Sequence, residues 1–269
     1  MGLIEEALRK SAQQRKGAVR ANGAAAARMA RPAPAPDAQI PQYQSAPVDP
    51  RVMQRHRILP TIADVTVTRA YKILRTRVTH RLVANGWHSV GVTGTMAGEG
   101  KTLTAVNLAI ALAQDVNTWV FLVDLDLQRP QVGAYLGMTY QNGLTDYLTG
   151  QASLEQIVYD ISHPRLAVIP NARPVESSSE LLLSPRMGDF LHFLQSEPPR
   201  RVVVFDMPPL LASDDVLAFS PRVDSFLLVV SQGQTARRTL SNAKEVLSEM
   251  NLMGVVLNRS TERNDSPYY

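Results

Sequence analysis

Cysteine is absent from all 269 residues, which removes disulfides, thiol nucleophiles and thiolate metal sites and fits a reducing compartment. Histidine is scarce. His56, His80, His88, His163 and His192 are scattered without ligand spacing, so no zinc site is expected. No run of apolar residues approaches the ~20 needed to cross a bilayer, and the start lacks the apolar stretch of a signal peptide. A cytoplasmic protein is expected. Acid is lacking where base collects: residues 1–60 hold ten Lys/Arg against Glu5, Glu6, Asp37 and Asp49, while residues 61–269 hold eighteen against twenty. The basic character belongs to an N-terminal arm and not to the folded body, and nucleic acid is not an expected partner.

What is present is an ordinary globular composition, 45% hydrophobic and 19% charged, enough to fill a sizeable core. Met1–Lys16 has an amphipathic helical pattern, and Gly17 to about Arg57 is an Ala/Pro/Gln-rich linker with little to bury. Order is expected from Pro60. Val67, Ala70, Tyr71, Leu74, Val78 and Leu82 recur at helical spacing among Arg69, Lys72, Arg75, Arg77 and Arg81, cations available to an acidic partner. The divisions are residues 1–60 as helix and linker, 61–260 as catalytic body and 261–269 as a flexible tail.

Short apolar runs at His88–Val92, Trp119–Val123, Leu166–Ile169, Val202–Phe205, Ser225–Val230 and Met253–Leu257 read as strands buried on both faces. Helical segments lie between them, with start signals at Ser177 with Glu180, at Ser184 before Pro185, and at Thr235. The alternation predicts an α/β fold: a mostly parallel sheet of the P-loop NTPase type, with helices on both faces.

The first strand runs into Gly94-Thr95-Met96-Ala97-Gly98-Glu99-Gly100-Lys101-Thr102, followed by an apolar helix from Leu103. Small residues admit phosphate oxygens to backbone N–H groups, a lysine reaches the β/γ-phosphates and a hydroxyl ligates Mg²⁺. The strict pattern asks for glycine at position 95, where this chain has threonine. Gly94, Thr95, Ala97, Gly98, Glu99, Gly100, Lys101, Thr102 and Leu103 are the expected nucleotide contacts. Two further strand ends carry acid, Asp124 with Asp126 and then Asp206. A parallel sheet brings such ends together, where one or two carboxylates serve Mg²⁺ and a spare one accepts a proton.

The set Gly-Glu-Gly-Lys-Thr, Asp124-x-Asp126 and Asp206-x-Pro208-Pro209 resembles the bacterial tyrosine kinases of polysaccharide assembly. Ser179–Ser184, Ala212–Asp215 and Gly254–Asn258 resemble further family segments, and the likeness runs over about Thr68–Tyr269. It implies an ATP- and Mg²⁺-dependent autokinase, with Lys101 and Thr102 on phosphate and metal and Asp126 and Asp206 organising the metal. It makes Asp124 the base toward a tyrosine hydroxyl and puts Asn258 near the adenine. It further implies phosphorylation of C-terminal tyrosines, here Tyr268 and Tyr269, usually between neighbouring subunits. The implied partners are a transmembrane chain-length-determinant activator, other copies of the chain and a phosphotyrosine phosphatase, at the inner face of the membrane.

Three features depart from the family pattern. Gln128 stands where Asp-x-Asp-x-Arg has arginine, Arg69-x-x-Lys72-x-x-Arg75 replaces Glu-x-x-Arg-x-x-Arg, and the tyrosine cluster is short. A partition or cell-division ATPase is a rival reading, opposed by Met96 where those proteins carry an extra lysine. A nucleotide-dependent adaptor that transfers little phosphate is the other, and Gln128 is what favours it.

Overall fold

Strand β2 (Ser89–Gly94) lies at the heart of an eight-stranded sheet, between β6 (Arg201–Asp206) and β7 (Ser225–Ser231). The computed structural model describes residues 43–196 and 200–261. The remaining strands are β1 (Gln44–Ser45), β3 (Trp119–Asp124), β4 (Tyr159–Asp160), β5 (Leu166–Ile169) and β8 (Leu252–Asn258). Their order is β1-β4-β5-β3-β6-β2-β7-β8, and every pairing is parallel except β4 with β5.

The strands are apolar on both sides because both sides are covered. Along β3, Phe121 and Val123 enter one core while Val120 and Leu122 enter the other, the period of two that a pleated strand imposes. Phe205 and Val204 of β6, and Leu228 and Leu227 of β7, divide in the same way. One face is covered by α1 (Pro50–Arg55), α2 (Val65–Asn85), α3 (Lys101–Leu112) and α4 (Val132–Leu136). The other carries α5 (Leu144–Leu148), α6 (Ser178–Leu183), α7 (Pro185–Ser196), α8 (Asp215–Phe219) and α9 (Arg237–Leu247). The α/β sheet expected from the sequence is the observed one.

The expected start of the body near residue 60 is too late. Gln44 and Ser45 pair with β4, Asp49 Oδ1 caps α1 by accepting from Arg51 N at 2.8 Å, and Met53, Ile58 and Leu59 are buried. These few apolar residues show no periodicity, so the segment reads as linker. Its attachment is polar as well. Asn107 of α3, fully buried, accepts from Leu59 N at 2.7 Å and donates Nδ2 to the Arg57 carbonyl at 3.0 Å. The Met1–Lys16 helix and most of the linker lie outside the described residues.

The helix starts expected at Ser177 and Thr235 are observed to within a residue, but neither side chain makes the expected capping bond. Ser177 makes no capping bond, and the neighbouring Ser178 hydroxyl turns instead to Asp215. Ala236 precedes α9, while Thr235 is drawn toward the phosphate loop. Ser184 behaves as expected, its Oγ accepting from Met187 N at 3.3 Å.

Replacing Asn107 by alanine strands a buried amide and a carbonyl. The expected outcome is a loss of about 1–3 kcal/mol in denaturant unfolding, with no change in the parallel core's spectroscopic signature.

Candidate active site

Because β3, β6 and β2 are parallel neighbours, their carboxyl ends reach the same edge. Asp124 is paired in register with Asp206, and Asp206 with Val92, two residues before the phosphate loop. Lys101 and Thr102 open α3 directly from that loop. The topology thus brings together the lysine, the hydroxyl and the acids that the sequence singled out.

The loop is built around Glu99, which is 2% exposed. Its Oε1 accepts from Thr95 Oγ1 at 2.7 Å and from Thr235 Oγ1 at 2.5 Å, and its Oε2 accepts from Met96 N at 3.0 Å. The Glu99 carboxylate is therefore a brace inside the loop. Thr95, where the strict motif has glycine, supplies one of the brace's bonds. Gly94 is needed because a Cβ there would stand 2.5 Å from Glu99 Oε2. Gly98 and Gly100 adopt φ of 81° and 93°, a region that disfavours side chains. Ala97, Thr102 and Leu103 complete the stretch, Ala97 exposed and the other two partly buried.

The end of β8 clasps the loop from outside. Asn258 Nδ2 donates to the Glu99 carbonyl at 2.9 Å, and Arg259 Nη2 donates to the Gly98 carbonyl at 3.0 Å. A side chain at Gly100 would collide with Asn258 Nδ2.

The acids are buried to different depths. Asp124 and Asp206 are 0% and 1% exposed, and Asp126 is partly exposed. Asp124 Oδ2 accepts from Gln131 N and Val132 N, both at 2.9 Å, while Oδ1 has no partner. Burial holds its carboxyl well above the usual range, with the charge of Asp206 adding to the rise and the Val132 amide opposing it. Both Asp206 oxygens also lack a hydrogen bond, although the Thr102 hydroxyl lies close enough to stabilise the charge. Burial raises Asp206 to about 7, against the pull of Thr102 and Lys101 and with a push from Asp126. Burial raises Asp126 too, while Arg129 N at 3.0 Å on Oδ1 and the Lys101 charge draw it down.

Three orphaned buried carboxylate oxygens beside a lysine and a threonine hydroxyl fit a divalent cation carried by phosphate. Among the described residues no group of three or more His, Cys, Asp or Glu forms a metal cage. A metal here therefore needs phosphate and water to complete its shell, which is how Mg²⁺ is ordinarily held.

Thr235, Arg259 and the amides of Gln131 and Val132 were not expected at the site. Thr235 reads as a helix start, and backbone amides leave no trace in sequence. Tyr268 and Tyr269 lie outside the described residues.

The model of the CobQ/CobB/MinD/ParA nucleotide-binding domain matches residues 90–268. The tyrosine-protein kinase YwqD of Bacillus subtilis is 31% identical over 218 residues, covering 80% of this chain and 91% of that protein. The chain belongs to the bacterial tyrosine-protein kinases. The kinase domain of the Escherichia coli tyrosine kinase ETK superposes on this kinase with a TM-score of 0.63 at 25% identity, over 74% of this chain and 80% of that one. The septum site-determining protein MinD of Pyrococcus horikoshii, solved with Mg-ADP, shares the fold: TM-score 0.55, 22% identity, 66% of this chain and 72% of that one. Some longer curated relatives are matched over only 26% of their length.

Two outcomes follow for the kinase. Gly100→Ala forces a side chain into positive φ and into Asn258, and should weaken MgATP binding about tenfold or more in calorimetry, given a strain of about 1–3 kcal/mol. Asp206 binds a proton in the folded state that the unfolded chain, with a carboxyl near 3.8, has lost. The stability this proton lends is full below that lower value and is lost as pH rises through about 7. Melting of the nucleotide-free kinase should therefore fall from about pH 5 to about pH 8, and Asp206→Asn should flatten the fall.

Proposed function

We propose that this kinase transfers the γ-phosphoryl group of MgATP to the tyrosines of its own C-terminal tail. The observation that carries the reading is the half-satisfied carboxylate of Asp124. Two amides hold Oδ2, while Oδ1 is free of partners and faces the site as a place for a proton, burial holding the carboxyl above its usual range. The tyrosine hydroxyl would lose its proton to Asp124 as its oxygen bonds to phosphorus and ADP departs. Lys101 and the loop amides would hold the β- and γ-phosphates. Thr102, Asp126 and Asp206 would hold Mg²⁺, which when bound neutralises phosphate charge. Asn258, bonded to the loop beside Gly100, would lie near the adenine.

The setting we assign is exopolysaccharide or capsule assembly, at the inner face of the membrane. No helix among the described residues is long and apolar enough to cross a membrane, so attachment would run through a transmembrane chain-length-determinant activator. Helix α2 supports docking of an acidic partner or a further copy of the chain. It carries Arg69, Lys72, Arg75, Arg77 and Arg81 with no acidic residue between Val65 and Asn85. A phosphotyrosine phosphatase would reset the tail.

Gln128, in place of the family's arginine, keeps a second reading in view, that of a nucleotide-dependent adaptor. Incubation with γ-labelled ATP and Mg²⁺ separates them. Label on tyrosine, lost in Lys101→Ala and in the Tyr268→Phe/Tyr269→Phe double variant, is the expected result, with Asp124→Asn slowed by about 10²-fold or more. ATP binding without phosphotyrosine, even with a membrane activator added, contradicts the autokinase and favours the adaptor.

A further inference from the structure

Gln128 is not idle. Its Nε2 donates to Ser178 Oγ at 2.9 Å, and that hydroxyl lies 2.9 and 2.8 Å from the two oxygens of Asp215. Ser178 is 2% exposed and Asp215 is fully buried. The Gln128 amide N–H can only donate, so Ser178 Oγ accepts from it and has its one proton free for Asp215; the chain of donation runs from Gln128 through Ser178 to Asp215. Asp215 also receives no ion pair among the described residues, where Arg173 with Asp146 at 3.8 Å is the salt bridge found. Its charge is felt at the site, since Asp215 is among the groups that push the Asp126 carboxyl up.

The position of this relay matters more than its strength. Gln128 lies in the loop after β3, which begins with Leu125 N bonded to the Asp206 carbonyl at 2.8 Å and ends with Gln131 and Val132 on Asp124. Asp126 sits between these anchors, and among the described residues its carboxylate accepts from Arg129 N, within the same loop. Gln128 adds a side-chain hydrogen bond from the loop to the opposite wall, where α6 and α8 begin, beside the buried Leu127 and the bond from Val175 N to the Leu127 carbonyl at 2.9 Å. The glutamine reaches Asp215 through a neutral hydroxyl.

We propose that Gln128, Ser178 and Asp215 are positioning residues that hold the Asp126 loop in its metal-binding arrangement, Ser178 serving as the adaptor that lets glutamine stand in for arginine. The proposal rests on the reading of Asp126 as a Mg²⁺ ligand. Groups that orient metal ligands from behind typically change metal affinity by about 10- to 100-fold when removed.

The test is a Mg²⁺ titration of the full chain with a fluorescent ADP analogue, reading the metal concentration at half-maximal binding, beside the melting temperature. Gln128→Ala and Ser178→Ala should each raise that concentration about tenfold. Gln128 has an exposed side chain, so its variant should melt with the wild type. The double variant should be no worse than Ser178→Ala, because both changes break one chain, and Ser178→Thr, which keeps the hydroxyl, should restore binding. An unchanged Mg²⁺ requirement in Gln128→Ala while Asp126→Ala raises it overturns the relay. So does additivity in the double variant, or a Ser178→Ala effect confined to melting. If Asp126→Ala itself leaves the requirement unchanged, the metal reading falls and the relay with it.

Discussion

The constraint on which this structure turns is the burial of negative charge at the ends of two adjacent parallel strands. Asp124 and Asp206 are register partners, both out of water, and between them leave three oxygens without a hydrogen bond. Isolated buried carboxylates are costly, and the nucleotide-free protein answers by raising their affinity for protons. Lys101 offsets part of the charge on Asp206 and Asp126. A divalent cation arriving with phosphate would offset far more. The fold stores at this edge an electrostatic debt that its ligand relieves, which ties stability to binding.

The phosphate loop is held by the same edge of the sheet. Glu99 joins Thr95 and Met96 within the loop to Thr235 after β7, and Asn258 and Arg259 at the end of β8 hold the loop's carbonyls. The strands on one side of β2 therefore shape the loop, while β3 and β6 on the other side supply the acids. The short segment that continues past β8 leads toward Tyr268 and Tyr269, so the chain bearing the proposed acceptor begins at a clasp on the nucleotide loop.

Much of this was legible in sequence because buried parallel strands leave nearly continuous apolar runs, and because strand ends place acids where a parallel sheet must gather them. What escaped did so for physical reasons. Residues 43–59 add an edge strand and a single helix turn or two, held by scattered apolar side chains and by Asn107, none of which is periodic. The antiparallel strand Tyr159–Asp160 is two residues long. Thr235 reads as a helix start and Ser178 follows one at Ser177, yet their hydroxyls bond carboxylates far away in sequence, Glu99 and Asp215. A hydroxyl's local and distant uses look alike until the chain is folded. Glu99 sits within a phosphate-loop motif, where the expected contact is through backbone N–H; the inward turn of its buried carboxylate leaves no mark in sequence.

Proton release on ligand binding tests the central claim most directly. Calorimetry of MgATP binding near pH 6.5, in two buffers of different ionisation enthalpy, counts the protons displaced as metal and phosphate replace them at the buried acids. The account predicts a net release that is lost or sharply reduced in Asp206→Asn. Binding heats independent of buffer, or a release unchanged in that variant, would contradict it.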